Sequence, residues 1–292
     1  MKRMFKVPVK GGLGNQMFCY AFGVYLNSKG FNTKYLWRDY LFTTHHHGVE
    51  LLSAFNIKIG KWDQIKITIF LFFNKLVLFV FQKRIISKII SILDGLNGAY
   101  TQKDPFEYYK VDITSPKILN GFWQNINYIE PCIQDLRKSF QFNLPDNYEE
   151  CKVISLVESA NSISVHIRRG DYLKKEFSDF NAIDYLTYIK NAIAFIKERV
   201  ENPKIFVFSD DINWCKENFS DEFYYVENKH MSAYFDMFLM SKCKHNIIAN
   251  STFSWWAAML NANENKIVVG PKYWTANGIL SKSFCPLSWY FM

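Results

Sequence analysis

From residue 162 to residue 270, short apolar runs alternate with longer amphipathic stretches, and this alternation restricts the fold more than any other feature. SISVHI (162–167), KIFVFS (204–209), FYYVEN (223–228), HNIIAN (245–250) and KIVVGP (266–271) are short, apolar and β-branched, and read as strands. Between them, YLTYIKNAIAFIKERV (185–200), MSAYFDMFLMSKC (231–243) and STFSWWAAMLNA (251–262) read as helices, the first ended by Asn202-Pro203. Strand and helix in strict alternation predict a doubly wound parallel sheet.

The N-terminal part opens in the same way. MFKVPVK (4–10) is a short strand weakened by Pro8, and GGLGNQ (11–16) is a glycine-rich turn. The next stretch, 17–29, places Phe18, Phe22 and Tyr25 at helical spacing, with Gly30 where a C-terminal cap belongs, and FNTKYLW (31–37) follows as a strand. Turn residues and a polar run at 140–160 put a domain boundary near 150. The expected organisation is an N-terminal α/β domain, 1–150, and a C-terminal α/β domain, 151–292.

Segment 65–93 stands apart. It is strongly apolar but interrupted by Lys66, Asn74, Lys75 and Lys83-Arg84, which leaves it short of a membrane span. Polar residues at 84, 87, 88, 91 and 94 follow a helical period. Two placements fit: peripheral contact with an anionic membrane, or packing on the protein with the lysines in water.

The chain of 292 residues has a net charge of +8, which favours anionic partners. No run of five Lys/Arg is present, which argues against a nucleic-acid tail. The six cysteines, at 19, 132, 151, 215, 243 and 285, form no C-x-x-C pair and match no zinc spacing. Scattered thiols and a first segment without an apolar signal run predict a cytoplasmic protein, with the inner membrane face as the alternative for 65–93.

Three polar motifs fall at the C-terminal ends of expected strands, where open α/β sheets bind ligands. HIRRGDY (166–172) offers Arg168 and Arg169 as planar forks for phosphate oxygens. Side-chain alternation turns one of them to the ligand and leaves the other for Asp171. FSDD (208–211) sets Asp210 and Asp211 after a buried strand, as acceptors for a guanine edge or as a helix N-cap. NSTFSWW (250–256) places Ser251, Thr252 and Ser254 at a helix start, where N–H groups and hydroxyls suit an anion, and sends Trp255 and Trp256 to the core.

GGLGNQ is neither a P-loop, since no Gly-Lys-Ser/Thr follows, nor a dinucleotide fingerprint, since Met17 stands at the third glycine. Gly12 and Gly14 permit close backbone approach to a ligand, with Asn15 and Gln16 directing amides at it. His45-His46-His47 reads as a loop, not a metal site. The chain has no Asp-x-Asp pair to hold a divalent cation on a diphosphate, so positive charge has to come from side chains such as the arginines.

GGLGNQMFCYAFG, HIRRGDY, FSDD and NSTFSWWAA, in this order, resemble glycosyltransferase family 11, the α-1,2-fucosyltransferases, in its bacterial branch. The resemblance covers nearly the whole chain and is weakest over 40–120. It implies a GT-B-like architecture: two Rossmann-type α/β halves facing a cleft, the acceptor on the first and GDP-fucose on the second. The implied reaction inverts the anomeric centre and moves fucose to the 2-hydroxyl of a terminal galactose on a surface glycan, with no metal and no cofactor.

The implied roles are Arg168 at the donor β-phosphate, His166 and Asp210 at the guanosine, Thr252 and Ser254 at the phosphates, and Asn15 at the reaction centre. Ser251, Gly12 and Gly14 complete the expected donor site, and Asp171 is the nearest candidate base for the acceptor hydroxyl. Two other readings are a transferase of different linkage or different GDP-sugar, and a basic module binding nucleic acid or anionic lipid. The second leaves unexplained why three polar motifs sit at strand ends.

Overall fold

A computed structural model describes residues 3–37, 48–57, 98–110, 117–144, 152–181, 183–227 and 232–292. The histidine triplet 45–47 and the apolar-basic segment 65–93 lie outside the described residues. The chain divides into two compact units, Met1–Asn143 and Leu144–Met292.

Unit 1 runs β1 (Met4–Pro8), α1 (Leu13–Ser28), β2 (Asn32–Leu36), α2 (Glu50–Ala54), β3 (Ala99–Thr101), β4 (Ile118–Asn120), α3 (Ile126–Ile129) and α4 (Ile133–Ser139). Its strands form one parallel sheet, ordered β2-β1-β4-β3. Pro8 is the last residue of β1, where a missing N–H costs the ladder least, and Val9 resumes the pattern by donating to the Leu36 carbonyl at 2.8 Å. Gly30 follows α1 with φ +88°, a left-handed position that suits glycine, and its N–H returns to the Asn27 carbonyl at 3.0 Å.

Aromatic side chains make this core. Phe22 of α1 stacks on Trp123 with ring centroids 3.9 Å apart, and Tyr128 of α3 meets Phe22 edge-on at 5.0 Å. All three are fully buried. Each such ring contributes about 1.5–3 kcal/mol by leaving water, with a smaller increment from ring geometry.

Unit 2 runs α5 (Lys152–Ser159), β5 (Ser162–Ile167), α6 (Tyr185–Lys197), β6 (Lys204–Ser209), α7 (Ile212–Asn218), β7 (Tyr224–Tyr225), α8 (Ala233–Lys242), β8 (His245–Ile247), α9 (Thr252–Leu260), β9 (Val268–Gly270) and β10 (Tyr290–Phe291). The sheet is parallel throughout, ordered β10-β9-β8-β5-β6-β7. Counted from β5, this is the doubly wound order in which the chain first builds outward on one side and then returns to the other. The reversal falls between β5 and β8, and a crevice at such a switch point is where these sheets bind ligands.

Alternation along β5 sends Ile163, Val165 and Ile167 into an apolar core with Tyr188, Ile189, Ala192 and Ile196 of α6. The opposite face is polar, and Ser162 and Ser164 on it are paired. Ser162 donates to the Val157 carbonyl at 2.8 Å, Asn246 donates to Ser164 at 2.7 Å, and Asn261 donates to Asn246 at 2.7 Å. A buried network of this kind is stable only when its members are paired. No helix among the described residues is long and apolar enough to cross a membrane.

Candidate active site

The three strand-end motifs converge in unit 2. β5, β6 and β8 are adjacent, and beyond their C-terminal ends lie Arg168–Tyr172, Asp210–Asp211 and Asn250–Thr252. The Arg168 guanidinium sits between two carboxylates. One terminal nitrogen is 2.9 Å from Asp210 Oδ2 and the other is 3.1 Å from Asp171 Oδ2. One third of its side chain remains exposed, so the fork is held in place without being enclosed.

Arg169 points elsewhere. Its Nε donates to Asp211 at 3.1 Å, and its guanidinium lies 3.9 Å from the centroid of the Trp214 ring. The expected pairing of Arg169 with Asp171 is therefore corrected: Asp171 serves Arg168, and its other oxygen accepts from Lys174 at 2.7 Å. Strand alternation misled here because β5 ends at Ile167 and the chain then turns through Gly170 into a 3₁₀ turn, Asp171–Leu173, that folds Asp171 back over Arg168. Gly170 is required by contact, since a Cβ there would lie 2.7 Å from Asp210 Oδ2.

The paired acids divide their duties. Asp210 Oδ1 accepts the Arg169 backbone N–H at 2.9 Å while Oδ2 holds Arg168. Asp211 is the N-cap of α7, accepting from the Trp214 N–H at 3.3 Å. Ser251 caps α9 through the Phe253 N–H at 3.4 Å. Thr252 is partly exposed, whereas Ser254 is buried and donates to the Ser251 carbonyl at 3.2 Å, which leaves its hydroxyl part of the helix start and not of an open surface. Trp255 and Trp256 are wholly buried, as core tryptophans should be.

His166 is 6% exposed, and its Nδ1 has no hydrogen-bond partner among the described residues. Burial is the main reason its pKa is pushed down to about 4; Asp210 pulls it up and Arg168 adds to the fall. The ring is therefore neutral near pH 7. It packs beside Phe253 with centroids 5.9 Å apart, which ties the end of β5 to the start of α9. Asn250 is 1% exposed; its amide nitrogen donates to the carbonyls of Phe180 (2.7 Å) and Trp274 (2.8 Å), while its Oδ1 also lacks a partner among the described residues. Tyr172 donates to the Asn250 carbonyl at 3.0 Å, joining the turn after β5 to the end of β8. A cavity of about 190 Å³ opens beside both arginines, walled by Tyr172, Tyr185, Leu186 and Trp214.

Unit 1 has its own strand-end rim. Gly12 is the N-cap of α1, and Gly14 and Asn15 lie in its first turn. Asn15 is partly exposed, and its Oδ1 accepts from Gln124 Nε2 at 2.8 Å. Lys10 donates to Asn120 Oδ1 at 2.6 Å and lies 4.6 Å from the centre of the Phe122 ring. Gln16 does not face a ligand, contrary to expectation. It is wholly buried, donates to the Gly11 and Gly48 carbonyls at 2.9 and 3.0 Å, and accepts from the Leu51 N–H at 2.9 Å, pinning the loop before α2. Sequence reasoning missed Gln124, Asn120 and Lys10; the signal available was a cluster of amides and aromatics in NGFWQN, 120–125. Among the described residues, no group of three or more His, Cys, Asp or Glu side chains is arranged to hold a metal ion.

An ion-paired arginine fork beside the switch point of a doubly wound sheet, next to a capped helix start, defines an α/β protein with a site suited to anionic ligands. Comparison narrows the class. Residues 1–290 match the family described as glycosyl transferase family 11, and the chain belongs to that family. It is 34% identical over 295 residues to the O-antigen biosynthesis glycosyltransferase WbnK of Escherichia coli, covering 94% of this chain and 96% of that protein. It is also 34% identical over 294 residues to an Escherichia coli alpha-1,2-colitosyltransferase, covering 96% of this chain and 95% of the relative. A shorter match, 31% over 103 residues and 34% of this chain, links it to galactoside alpha-(1,2)-fucosyltransferase 1 of Leontocebus fuscicollis, of which it covers 28%. Among solved structures, the fucosyltransferase NodZ from Bradyrhizobium aligns with TM-score 0.49 at 16% identity, over 88% of this chain and 91% of NodZ. The protein is a glycosyltransferase.

Proposed function

We propose that the protein moves fucose from GDP-fucose to the 2-hydroxyl of a terminal galactose on a bacterial surface glycan, with inversion at the anomeric carbon. The observation that carries this reading is the Arg168 fork, held by two carboxylates at the switch point of unit 2. In the transfer, the bond from fucose C1 to the β-phosphate oxygen breaks and its electron pair stays on GDP. The galactose 2-oxygen bonds to C1 from the opposite face and gives up its proton. Charge on the β-phosphate oxygen grows as the bond breaks, so an arginine aimed there lowers the barrier more than it tightens binding. Charge-assisted hydrogen bonds of this kind contribute about 1.5–3 kcal/mol each.

The remaining roles follow from chemistry and position. Neutral His166 is assigned to the guanosine; its Nδ1 and Asn250 Oδ1 are buried, so the nucleoside reaches them only if the turns covering the ends of β5 and β8 shift on binding. Asp210 clamps Arg168 first; its remaining lone pairs are what it offers a guanine. Ser251, Thr252 and the first turn of α9 receive phosphate oxygens, with Ser254 supporting that turn from behind. Gly12 and Gly14, expected in the donor site, lie with Asn15 at the start of α1, and all three are assigned here to the acceptor side. Asp171, with an oxygen on each of Arg168 and Lys174, orients the fork; as the base that takes the galactose proton it would have to leave one of them.

A second donor is favoured by one comparison. The alpha-1,2-colitosyltransferase relative is as similar as any full-length match reported above, and colitose is fucose without its 3-hydroxyl. One assay tests both: incubate the protein with GDP-fucose or GDP-colitose and a panel of galactosides, with chelator, and determine the product linkage. An α-1,2-fucosyl galactoside supports the proposal. A product from GDP-colitose alone moves the donor, and absence of any transfer from either donor rejects the reading.

A further inference from the structure

We propose that Gln124 is a positioning residue for the same transfer, fixing the Asn15 amide so that its two N–H donors face the reacting groups. This rests on the assignment of Asn15 to the acceptor side. An asparagine amide rotates between two nearly equivalent settings that exchange oxygen for nitrogen. Gln124 breaks the tie, because its Nε2 donates to Asn15 Oδ1 at 2.8 Å and leaves Nδ2 outside that contact, on the side of the glycine turn. Nδ2 then lies over the glycine turn, where a Cβ on Gly11 would be 2.8 Å away, so no side chain of residue 11 screens it.

Gln124 is itself held through its backbone and its burial. It is 7% exposed, and its backbone N–H donates to the Pro105 carbonyl at 2.8 Å. On one side of it, Trp123 adopts φ +56°, a left-handed setting that bulky residues avoid, and its indole is wholly buried. The Phe122 and Trp123 N–H groups both donate to Gln102 Oε1, at 3.1 and 2.9 Å. On the other side, Asn125 caps α3 by accepting from the Asn127 N–H at 3.0 Å. Strained backbone persists where surrounding structure over-determines it, and such places gather at functional sites. Here the strained residue immediately precedes Gln124, whose side chain donates to Asn15.

Substitution of Gln124 tests the assignment. Gln124→Glu keeps the size but offers only acceptors, so it draws Asn15 Nδ2 inward and turns Oδ1 out; kcat should fall by about tenfold or more. KM for the donor and the thermal shift produced by GDP should stay at wild-type values. Gln124→Met, which neither donates nor accepts strongly, should give a smaller loss of about threefold. In an Asn15→Ala background, Gln124→Glu should add almost nothing, a coupling that a purely structural role would not produce. Near-normal kcat in Gln124→Glu, alongside a large loss in Asn15→Ala, overturns the role of Gln124 while leaving Asn15 in place. Additive losses in the double variant overturn it as well. If Asn15→Ala keeps full turnover, the assignment of Asn15 fails first and takes this inference with it. Should Gln124→Glu not fold, the Met variant and its double with Asn15→Ala carry the same decision.

Discussion

The two units share a plan and differ in the chemistry at their strand ends. Unit 2 gathers three cations, Arg168, Arg169 and Lys174, against three carboxylates, Asp171, Asp210 and Asp211. Among the described residues, the rim of unit 1 carries the amides of Asn15, Asn120 and Gln124, the Phe122 ring and Lys10. Desolvating a charge costs several kcal/mol unless it is paired, so a fold places charges where a charged partner has to be met. A departing diphosphate is such a partner. Neutral amides suit hydroxyls, which need direction and no net charge. On the proposed function, one scaffold, used twice, would offer charge to a leaving group and direction to an acceptor.

Removing the fork is the strongest way to break this contrast. Arg168→Ala should lower turnover by about 100-fold or more, the range seen when a donor to a developing oxyanion is lost. Steady-state kinetics with an unchanged circular dichroism spectrum would establish it, and an equal rise in acceptor KM would count against a donor-side role. Asn15→Ala should cost about tenfold in kcat while GDP affinity by calorimetry stays the same. If GDP affinity falls with it, the division between a charged donor side and a neutral acceptor side is wrong.

A smaller effect sharpens the electrostatics. Asp171 occupies one edge of Arg168, so an incoming phosphate oxygen competes with it. Asp171→Asn should tighten GDP binding by roughly threefold, as a like-charge neighbour of the ligand is removed. Weaker GDP binding in that variant would show that the aim Asp171 gives the fork outweighs its competition with the phosphate. The smallest effect concerns pH. Burial holds the His166 pKa at about 4, below its ordinary 6.5. A depressed pKa means that the folded state binds this proton less readily than the unfolded chain, so the stability it represents is full above pH 6.5 and is lost progressively as pH falls toward 4. Melting temperature should therefore drop between pH 7 and pH 5, and His166→Gln should reduce that drop. An identical pH dependence in the variant would place the acid sensitivity elsewhere.

Much of unit 2 was legible in the sequence because β5, β6 and α6 are long enough to show their period, and the three polar motifs announce themselves at strand ends. The pairing inside the motifs was not. Asp171 reaches Arg168 through a turn that no alternation rule covers, and Asp210 and Asp211 part company only because the second caps α7. In unit 1, β3 and β4 have three residues each, too few for a period to register. Gln124 lies just beyond β4, after a tryptophan whose left-handed backbone has no sequence signature, so its link to Asn15, 109 positions away, is visible only in three dimensions. Gln16 shows the reverse error: an amide in a glycine-rich turn suggests a ligand contact, but burial gave it to the backbone of Gly48 and Leu51.

The claim that a guanidinium fork carries the departing charge is tested most directly by the turnover of Arg168→Lys on GDP-fucose and a terminal galactoside in the presence of chelator. Lysine keeps the charge and loses the planar pair of donors. The account predicts a wild-type enzyme indifferent to chelator and a variant at least about tenfold slower. Near-normal turnover in the variant, or a wild-type reaction that stops without manganese, would contradict it.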